Sequence, residues 1–337
     1  MPRRLIILLA ALLPLAACHG PQSMFNTAGP AAQKLSSLAI FILTIFCVSA
    51  GITIFLLLWG VFRQRGSLEE HAPWNAGGGQ NWVLYGGLVA PGLILFVVFI
   101  FSLVKTTDFP LRDHGKAMHP TILVIGHQWW WEVRYIGGPP DRQFTTANEI
   151  HIPVGLPVDI QVQSSDVIHA FWVPALHGKI QMIPGLTNYI RIVASRPGNY
   201  QGECTVYCGV QHAHMRLLVV AQPQTSYRDW RRAQLKDASL PAGSAAQQGE
   251  QVFMRAACPL CHTVRGLGDV NGTVGPDLTH LASRQYIGAN SFPNDKADLE
   301  SWVSQAQTLK PGCEMPDLNA FSGSELRDLT TFLRELK

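Results

Sequence analysis

Four side chains that bind soft metals lie close together between Cys204 and Met215. They follow the spacing Cys-x3-Cys-x3-His-x2-Met, which brings together two thiols, an imidazole and a thioether at Cys204, Cys208, His212 and Met215. These are the ligand types that copper selects, whereas a thioether is not among the usual ligands of zinc. A disulfide between the two cysteines, or a zinc loop that lacks one ligand, would leave the regularly spaced His and Met unexplained. We therefore predict a copper site in this segment.

Two further histidines bear on this site. His214 lies in the same segment, but His212 keeps the regular interval after Cys208 and is the better candidate ligand. Another ligand should come from a separate loop, and His169, in the run Asp166-Val-Ile-His169, lies at the end of a predicted strand. Taken alone, His169 would be interpreted as a structural histidine, so its candidacy depends on the Cys204–Met215 loop.

A second motif, Cys258-x-x-Cys261-His262, is the attachment pattern of c-type haem, in which two thiols bond to the haem and the histidine binds the iron. A redox-active dithiol is the alternative, but it would need neither the following histidine nor the later Met315-Pro316 pair. A thioether opposite an imidazole raises the reduction potential of a haem, as electron carriers require. With both axial positions filled, the iron has no open site for a substrate. The motif therefore predicts an electron relay.

The chain begins with the features of an export signal. Two arginines precede the apolar run Leu5–Ala17, which ends in Leu15-Ala-Ala-Cys18 and resembles the cleavage motif of bacterial lipoproteins. We expect signal removal and a lipid on Cys18, with ordinary cleavage nearby as the alternative. Residues 19–34 are rich in Pro, Gly and Ala and predict an exposed tether. Cys313 has no obvious partner and is expected to be a free thiol.

Two apolar stretches, Leu35–Phe62 and Trp82–Val104, are each long enough to cross the hydrocarbon core of a membrane. Arg63 and Arg65 follow the first stretch directly, which favours a cytoplasmic loop and places both ends of the hairpin outside. Pro91 is expected to kink the second stretch. Residues 35–105 are therefore predicted to form a transmembrane helical hairpin.

After the hairpin the pattern changes to short β-rich runs that Pro and Gly interrupt. The runs are Thr121–Ile125, Glu149–Ile152, Val158–Gln163, Tyr189–Ala194 and Met215–Val220. Their length and spacing predict a β-sandwich or barrel over residues 106–225, which we call the sandwich domain.

A connector, residues 226–245, joins the sandwich domain to residues 246–337, which we call the C-terminal domain. The connector contains a charged, helical stretch, Tyr227–Ala238, and a flexible Pro/Gly/Ser/Gln-rich end. In the C-terminal domain, helical character at Gln247–Ala257 and an apolar stripe within Ser322–Arg334 predict an all-α unit.

The overall charge is small. The net charge of +3 does not indicate nucleic-acid binding. The C-terminal domain, with eight Lys/Arg and eleven Asp/Glu, is the acidic part of the chain. We therefore expect it to dock on residues 106–245, which hold twelve Lys/Arg and ten Asp/Glu and are mildly basic.

Several of these segments together resemble cytochrome c oxidase subunit II. They are Gly126-His-Gln-Trp-Trp-Trp-Glu132, Asp166–His169, Ile183-Pro-Gly185 and the Cys204–Met215 loop. With the hairpin that precedes them, the resemblance spans roughly residues 35–222. The C-terminal domain makes the chain look like the bacterial variant with a fused cytochrome c.

For the copper site, this resemblance implies a dinuclear CuA centre in a cupredoxin fold. The two cysteines would bridge both coppers, and each histidine would bind one of them. The implied ligands are His169, Cys204, Val206 through its main-chain carbonyl, Cys208, His212 and Met215. Trp129 matches the tryptophan through which electrons enter CuA; without the resemblance its cluster would be interpreted as core or membrane-interface aromatics.

For the C-terminal domain, the resemblance implies an all-α class I cytochrome c with covalently bound haem c. Gly275-Pro276-Asp-Leu278 resembles the proline turn of small cytochromes c. In that family the proline carbonyl accepts a hydrogen bond from the ligand histidine, here His262, and fixes its orientation. The implied haem-binding residues are Cys258, Cys261, His262, Met315 and Pro276.

The implied protein is a subunit of a proton-translocating cytochrome c oxidase in the bacterial inner membrane, with its copper and haem domains on the outer side. It would take electrons from a cytochrome c and pass them to the catalytic subunit I, with subunit III as a further partner. Oxygen would be reduced in the partner, because neither metal site has a vacant position. A nitric oxide reductase subunit with the same CuA module is one alternative. A copper-binding assembly or storage protein is another, but it would have no use for a covalently bound haem.

Two positions depart from the family pattern. Val206 occupies the position of a glutamate whose carboxylate helps to bind Mg²⁺ or Mn²⁺ at the interface with the catalytic subunit. Leu84 occupies the place of a proton-entry glutamate found in many members, and the second span contains no acid at all. We therefore expect no Mg²⁺ carboxylate from this loop and assign no proton-channel residue.

Overall fold

The structure, a computed structural model, describes residues 20–63, 76–107, 118–239, 241, 243–256, 258–318 and 320–337. The predicted export signal and Cys18 lie outside these residues, as does Arg65 in the loop after the first apolar stretch. The chain divides into two compact units, one formed by residues 33–110 and the other by the rest of the chain.

The unit of residues 33–110 contains two helical segments that are long and apolar enough to cross a membrane. The helices are α1 (Pro30–Phe62), α2 (Ala76–Asn81) and α3 (Ala90–Thr107), with a π-helical stretch, Trp82–Val89, between the last two. At the end of that stretch Ala90 donates its backbone N–H to Tyr85, one residue farther back than in an α-helix. The irregularity therefore lies directly before Pro91, where a kink was expected. The rings of Phe41 and Phe101 lie 4.0 Å apart.

The sandwich domain is built from ten strands in two five-stranded sheets. In chain order they are β1 Ile122–His127, β2 Trp130–Tyr135, β3 Phe144–Ala147, β4 Glu149–Pro153, β5 Val158–Ser164, β6 His169–Trp172, β7 Ile180–Met182, β8 Asn188–Ile192, β9 Gly198–Cys204 and β10 Arg216–Gln222. The sheet orders are β3-β2-β1-β5-β8 and β4-β10-β9-β6-β7. The β1–β5 and β4–β10 pairs are parallel and the other pairs are antiparallel.

The core of the sandwich domain lies between the two sheets. In β5, Val158, Ile160 and Val162 are buried, as the alternation in the sequence predicted. Asp159 is also buried, and it accepts two hydrogen bonds from Arg191 and one from the backbone of His119. A buried carboxylate is tolerated there because its oxygens are fully paired.

The end of the predicted tether differs from the expectation. Residues 19–34 were expected to be exposed, but Ala28 is buried and both its N–H and its C=O are bonded to the sandwich domain, at Ala175 and Ser195. A Cβ at Gly29 would lie 2.5 Å from the carbonyl oxygen of Leu176, so only glycine fits there. The part of the segment around Ala28 and Gly29 therefore packs on the sandwich domain, because these two small residues allow close backbone contact.

Helix α4 (Gln224–Gln234) covers most of the predicted helical part of the connector, Tyr227–Ala238, but ends four residues earlier. It packs on the sandwich domain: the Trp230 ring stacks 3.9 Å from that of His151, and Arg231 donates to the carbonyl of Gly137 at 2.6 Å. The connector's first half is thus an ordered helix. The predicted boundary near residue 245 stays a prediction.

The C-terminal domain contains four helices within the described residues. They are α5 Ser244–Arg255, α6 Lys296–Ser304, α7 Ala306–Leu309 and α8 Gly323–Glu335, with a two-stranded addition of β11 Tyr286–Ile287 and β12 Phe292–Pro293. A capping box of Ser322 and Glu325 starts α8. Helices α5 and α8 cross at Gly249, where an added Cβ would lie 2.0 Å from the carbonyl oxygen of Asp328. The predicted fold class, a helical hairpin, a β-sandwich and a helical C-terminal domain, is confirmed.

Candidate functional site

The six atoms predicted to bind copper lie together at one end of the sandwich domain. The Sγ atoms of Cys204 and Cys208 are 3.8 Å apart. Around them lie His169 Nδ1 at 3.8 Å from Cys204, Val206 O at 3.2 Å from Cys204, His212 Nδ1 at 3.6 Å from Cys208 and Met215 Sδ at 3.8 Å from Cys208. We call these six residues the donor cluster. His214 lies apart from it, since its Nδ1 pairs with Gln211 Oε1 at 2.8 Å.

The strand pairing explains why the donor cluster forms. Strands β9 and β10 pair in antiparallel register up to Glu203 and Arg216, and the Cys204 N–H donates to the carbonyl of Met215 at 3.0 Å. The loop between them therefore begins and ends at residues that are hydrogen-bonded to each other, Cys204 and Met215. Strand β6 pairs with β9, with Phe171 opposite Cys204, so His169 reaches the loop from the neighbouring strand.

The donor set fits a pair of soft metal ions. The two thiols are free and their sulfur atoms are too far apart for a disulfide, which needs about 2 Å. Their contact lowers the pKa of Cys204 and raises that of Cys208, because the two sulfurs share one proton. Removing that proton on metal binding gives two adjacent thiolates, with two imidazoles, a thioether and a carbonyl around them.

Asp166 orients His169. Its Oδ1 lies 2.7 Å from His169 Nε2, which leaves Nδ1 for the sulfurs, and its Oδ2 accepts the backbone N–H of Gln128 at 2.6 Å. Burial disfavours the charged imidazole, but the contacts with Cys204 and Asp166 outweigh burial and raise the pKa of His169. The sequence placed Asp166 three residues before His169, but the spacing alone did not indicate this role.

Trp129 lies against the donor cluster. Its indole Nε1 donates to the carbonyl of Cys208 at 3.0 Å, and Gln128 Nε2 donates to the same oxygen at 2.6 Å. The chain passes so close to the ring that a Cβ at Gly209, whose φ is +119°, would lie 2.8 Å from it. Trp129 is thereby fixed at the cysteine loop.

On its other side, Trp129 lines a cavity of about 310 Å³ that extends into the C-terminal domain. The lining includes Cys258, Cys261, His262, Pro276 and Met315. All the residues predicted to hold a haem therefore line one cavity.

His262 has the orientation that a metal ligand needs. Its Nδ1 lies 2.7 Å from the carbonyl oxygen of Pro276, the contact that the resemblance implied, which leaves Nε2 free. Burial lowers the pKa of His262 and favours the neutral imidazole that can bind a metal. A Cβ at Gly275 would lie 2.7 Å from the imidazole, so the turn fits closely around the ring. The cavity, its thiols, its imidazole and its thioether fit a covalently attached haem.

Sequence reasoning missed two buried cations beside this cavity, Arg284 and Lys310. Arg284 donates to the carbonyl of Asp277 and to Thr146 Oγ1 of the sandwich domain. Lys310 likewise bonds to the sandwich domain, at the carbonyls of Trp129 and His214. Neither residue lies in a pattern that predicts burial. Cys313, predicted to be a free thiol, is free and half-buried at the edge of the cavity.

The two domains contact each other through polar groups. Gln211 Nε2 donates to the carbonyl of Pro311 at 2.8 Å, and Glu149 Oε2 accepts the backbone N–H of Gln285 at 3.0 Å. Arg216 donates its N–H to the carbonyl of Ala289 at 3.1 Å. Most of these contacts use backbone atoms. The contact between the two domains therefore depends more on the fit of their surfaces than on the net charges of the two parts of the chain.

Comparison with known proteins gives two family matches. Residues 138–222 match "Cytochrome C oxidase subunit II, periplasmic domain", and residues 246–337 match "Cytochrome c". Cytochrome c oxidase subunit 2 of Alkalihalophilus pseudofirmus is 30% identical over 334 residues, which cover 96% of this chain and 94% of the relative. The corresponding protein of Bacillus subtilis is 25% identical, covering 98% and 97%. A crystal structure of the periplasmic domain of subunit II of cytochrome oxidase of Bradyrhizobium japonicum is 29% identical with a TM-score of 0.32, covering 35% of this chain and 95% of that one.

Proposed function

Because this chain belongs to the cytochrome c oxidase subunit II family and carries a cytochrome c domain, we propose that it is the subunit through which electrons enter a terminal oxidase. Electrons would come from a c-type cytochrome and pass, by way of this chain's haem c and dinuclear CuA centre, to the catalytic subunit that reduces O₂ to water. The two membrane-spanning candidates support anchoring beside that subunit.

In this proposal the donor cluster holds the copper pair. The two ions would be held by the thiolates of Cys204 and Cys208 and by the imidazoles of His169 and His212, with Met215 and the Val206 carbonyl as weaker ligands. When bound, two copper ions that share one electron across two thiolates change their bond lengths little on reduction. The chain contributes fixed positions: the β9–β10 ladder holds the loop, and Asp166 holds the His169 ring.

The cavity residues hold the haem in the same proposal. Cys258 and Cys261 would attach the haem, and His262 and Met315 would bind its iron. When bound, such a haem carries one electron and offers no open iron position for O₂. The Pro276 carbonyl keeps the His262 ring in one orientation.

One observation carries the proposal most directly: Trp129 contacts both sites. The same indole donates to the Cys208 carbonyl and lines the cavity that contains the haem-attachment residues. A short, fixed path between a buried donor and a buried acceptor is what electron transfer within one chain needs. The Val206 side chain offers no carboxylate, so any Mg²⁺ at the subunit interface would depend on other groups.

The remaining features of the proposal concern the assembly. Catalytic subunit I and subunit III are the proposed partners, in a proton-translocating oxidase of the bacterial inner membrane. The sandwich and C-terminal domains would lie on the outer side, and Cys18 would carry a lipid. Residues 106–225 and 246–337 are the proposed limits of the copper and haem domains.

The decisive experiment is to purify the complex that contains this chain and to compare its O₂ and NO consumption with reduced cytochrome c as donor. We expect rapid O₂ uptake together with a mixed-valence copper EPR signal and a c-type haem spectrum. NO consumption without O₂ uptake would overturn the oxidase assignment in favour of a nitric oxide reductase. A chain that binds copper but carries no haem would favour an assembly protein.

A further inference from the structure

Lys310 is a lysine buried between the two domains. Only 3% of its surface is exposed, and it lies directly after helix α7. Its Nζ donates three hydrogen bonds, to the carbonyls of Trp129 at 2.7 Å, His214 at 2.9 Å and Gly288 at 3.1 Å. The first two carbonyls belong to the sandwich domain and the third to the C-terminal domain.

These contacts use the full capacity of the ammonium group, which has three N–H donors and no acceptor. The three groups that it contacts are neutral backbone carbonyls. Burial lowers the pKa of Lys310 to about 7. Burying a cation among carbonyls is costly unless every donor is satisfied, so the hydrogen-bond geometry of this lysine matters more here than charge pairing.

The two sandwich-domain carbonyls that Lys310 binds belong to residues that lie beside the candidate metal sites. Trp129 is the residue that contacts both candidate sites, and His214 lies between His212 and Met215 of the donor cluster. One ammonium group therefore bonds to the backbone of two segments that border the candidate copper centre.

The residues after Lys310 continue the same contact. The Pro311 carbonyl accepts a hydrogen bond from Gln211. Gly312, with a φ of +84°, lies beside the indole, and a Cβ there would be in ordinary van der Waals contact with Trp129 at 3.7 Å. The chain then reaches Met315, which lines the haem cavity. The segment Lys310–Met315 thus touches the donor cluster's surroundings at one end and carries a candidate iron ligand at the other.

We propose that Lys310 is a positioning residue for electron transfer, which fixes the Trp129 and His214 backbones against the haem-binding loop and so sets the separation of the two redox centres. This inference rests on the proposed function. Electron transfer falls steeply with distance, so a group that prevents the domains from separating controls the rate without touching a metal. Removing it would take this donor from the buried Trp129 carbonyl and from the part-buried Gly288 carbonyl, and would leave the His214 carbonyl with Ser291 Oγ, so the contact would loosen.

The test is Lys310→Met in the full-length chain loaded with haem and copper, with Lys296→Met as the matched control. Lys296 lies in the same domain, is exposed and pairs with Glu300 at 3.8 Å, so its replacement removes a lysine that does not contact the sandwich domain in the described residues. Two quantities are measured: the rate of electron transfer from haem to copper after flash reduction, and the distribution of distances between the two centres by pulsed EPR. In Lys310→Met we expect a rate lower by roughly tenfold or more and a broader distribution, with both optical and EPR spectra of the separate centres unchanged.

A wild-type rate and distance distribution in Lys310→Met would overturn the proposal. If that variant loses a centre, Lys310→Gln, which keeps two N–H donors, replaces it and should give an intermediate rate. Loss of a centre in both variants, while Lys296→Met keeps both, would show that Lys310 serves folding and would also overturn the positioning role. A wild-type chain without the mixed-valence copper signal or the haem spectrum would instead contradict the proposed function.

Discussion

The indole of Trp129 donates a hydrogen bond to the carbonyl of Cys208 at 3.0 Å, while the same ring lines the cavity that contains Cys258, Cys261 and His262. The bond fixes the ring relative to a candidate bridging cysteine. A mobile ring would sample many separations from both sites, whereas this one is held by its own donor and by the close passage of Gly209.

Trp129→Phe should slow electron transfer from haem to copper by roughly tenfold, because it removes the hydrogen bond and shortens the ring that spans the two sites. The measurement is the transfer rate after flash reduction, with the copper EPR signal expected to be retained. Trp230→Phe is the control, since that ring stacks on His151 and lines neither site. Equal rates in the two variants would exclude Trp129 from the path.

Met315→Leu should lower the haem reduction potential by on the order of 0.1 V, a fraction of the ~0.8 V that axial ligands span. The thioether favours the reduced iron, and leucine has no lone pair to replace it. Redox titration followed by optical spectroscopy measures the change. Met254→Leu, an exposed position in α5, should leave the potential unchanged, and an unchanged potential in Met315→Leu would exclude Met315 as the ligand.

Cys208→Ser should abolish the mixed-valence copper signal, because a hydroxyl cannot replace a thiolate that bridges two copper ions. The EPR spectrum of the copper-loaded full-length chain reports the result. Cys47→Ser, which changes an exposed cysteine of helix α1, provides the comparison and should keep the signal. A persisting signal in Cys208→Ser would contradict the bridging role.

Asp159 should make the sandwich domain sensitive to acid. Burial raises the pKa of its carboxyl, but the hydrogen bonds from Arg191 and the His119 backbone outweigh burial, so the folded-state pKa lies below the ordinary 3.8. Because folding lowers this pKa, the ionised Asp159 carboxylate adds to the free energy of unfolding. That addition is complete above pH of about 4 and is lost as the pH falls through the folded-state pKa.

Asp159→Asn should therefore destabilise the chain by about 1–3 kcal/mol at pH 7 and by less at pH of about 3. Denaturant unfolding followed by tryptophan fluorescence at both pH values measures the difference. Asp141→Asn, at an exposed turn, should have little effect at either pH. The same loss of stability at both pH values would show that the charge of Asp159 is not responsible.

More of the candidate site than of the structure around it could be predicted from the sequence. The spacing between Cys204 and Met215 identified four donors because one short loop carries them, and the structure brings those donors within 4 Å of their neighbours. His169 needed the resemblance as well, since only the β6–β9 pairing brings it to the loop. Apolar length and alternation were likewise enough for the two long helices and for β5.

What the sequence did not indicate depends on contacts between distant segments. Lys310 looks like a surface lysine until three carbonyls from separate parts of the chain surround it. Residues 19–34 have the composition of a tether, yet backbone contact at Ala28 and Gly29 needs small residues too. A segment of this composition can be either an exposed tether or a closely packed strip of backbone, so only the tertiary structure distinguishes the two cases.

The crossing of helices α5 and α8 at Gly249 has a consequence for the cavity that both helices help to wall. The two backbones meet there without a side chain between them, next to Asp328. Phe253 on one helix and Leu329 on the other line the cavity, so the width of this wall is set by the main chain and cannot be adjusted by rotating a side chain. A prosthetic group held there would meet nearly the same surroundings before and after its charge changes, which keeps the reorganisation energy of each transfer small.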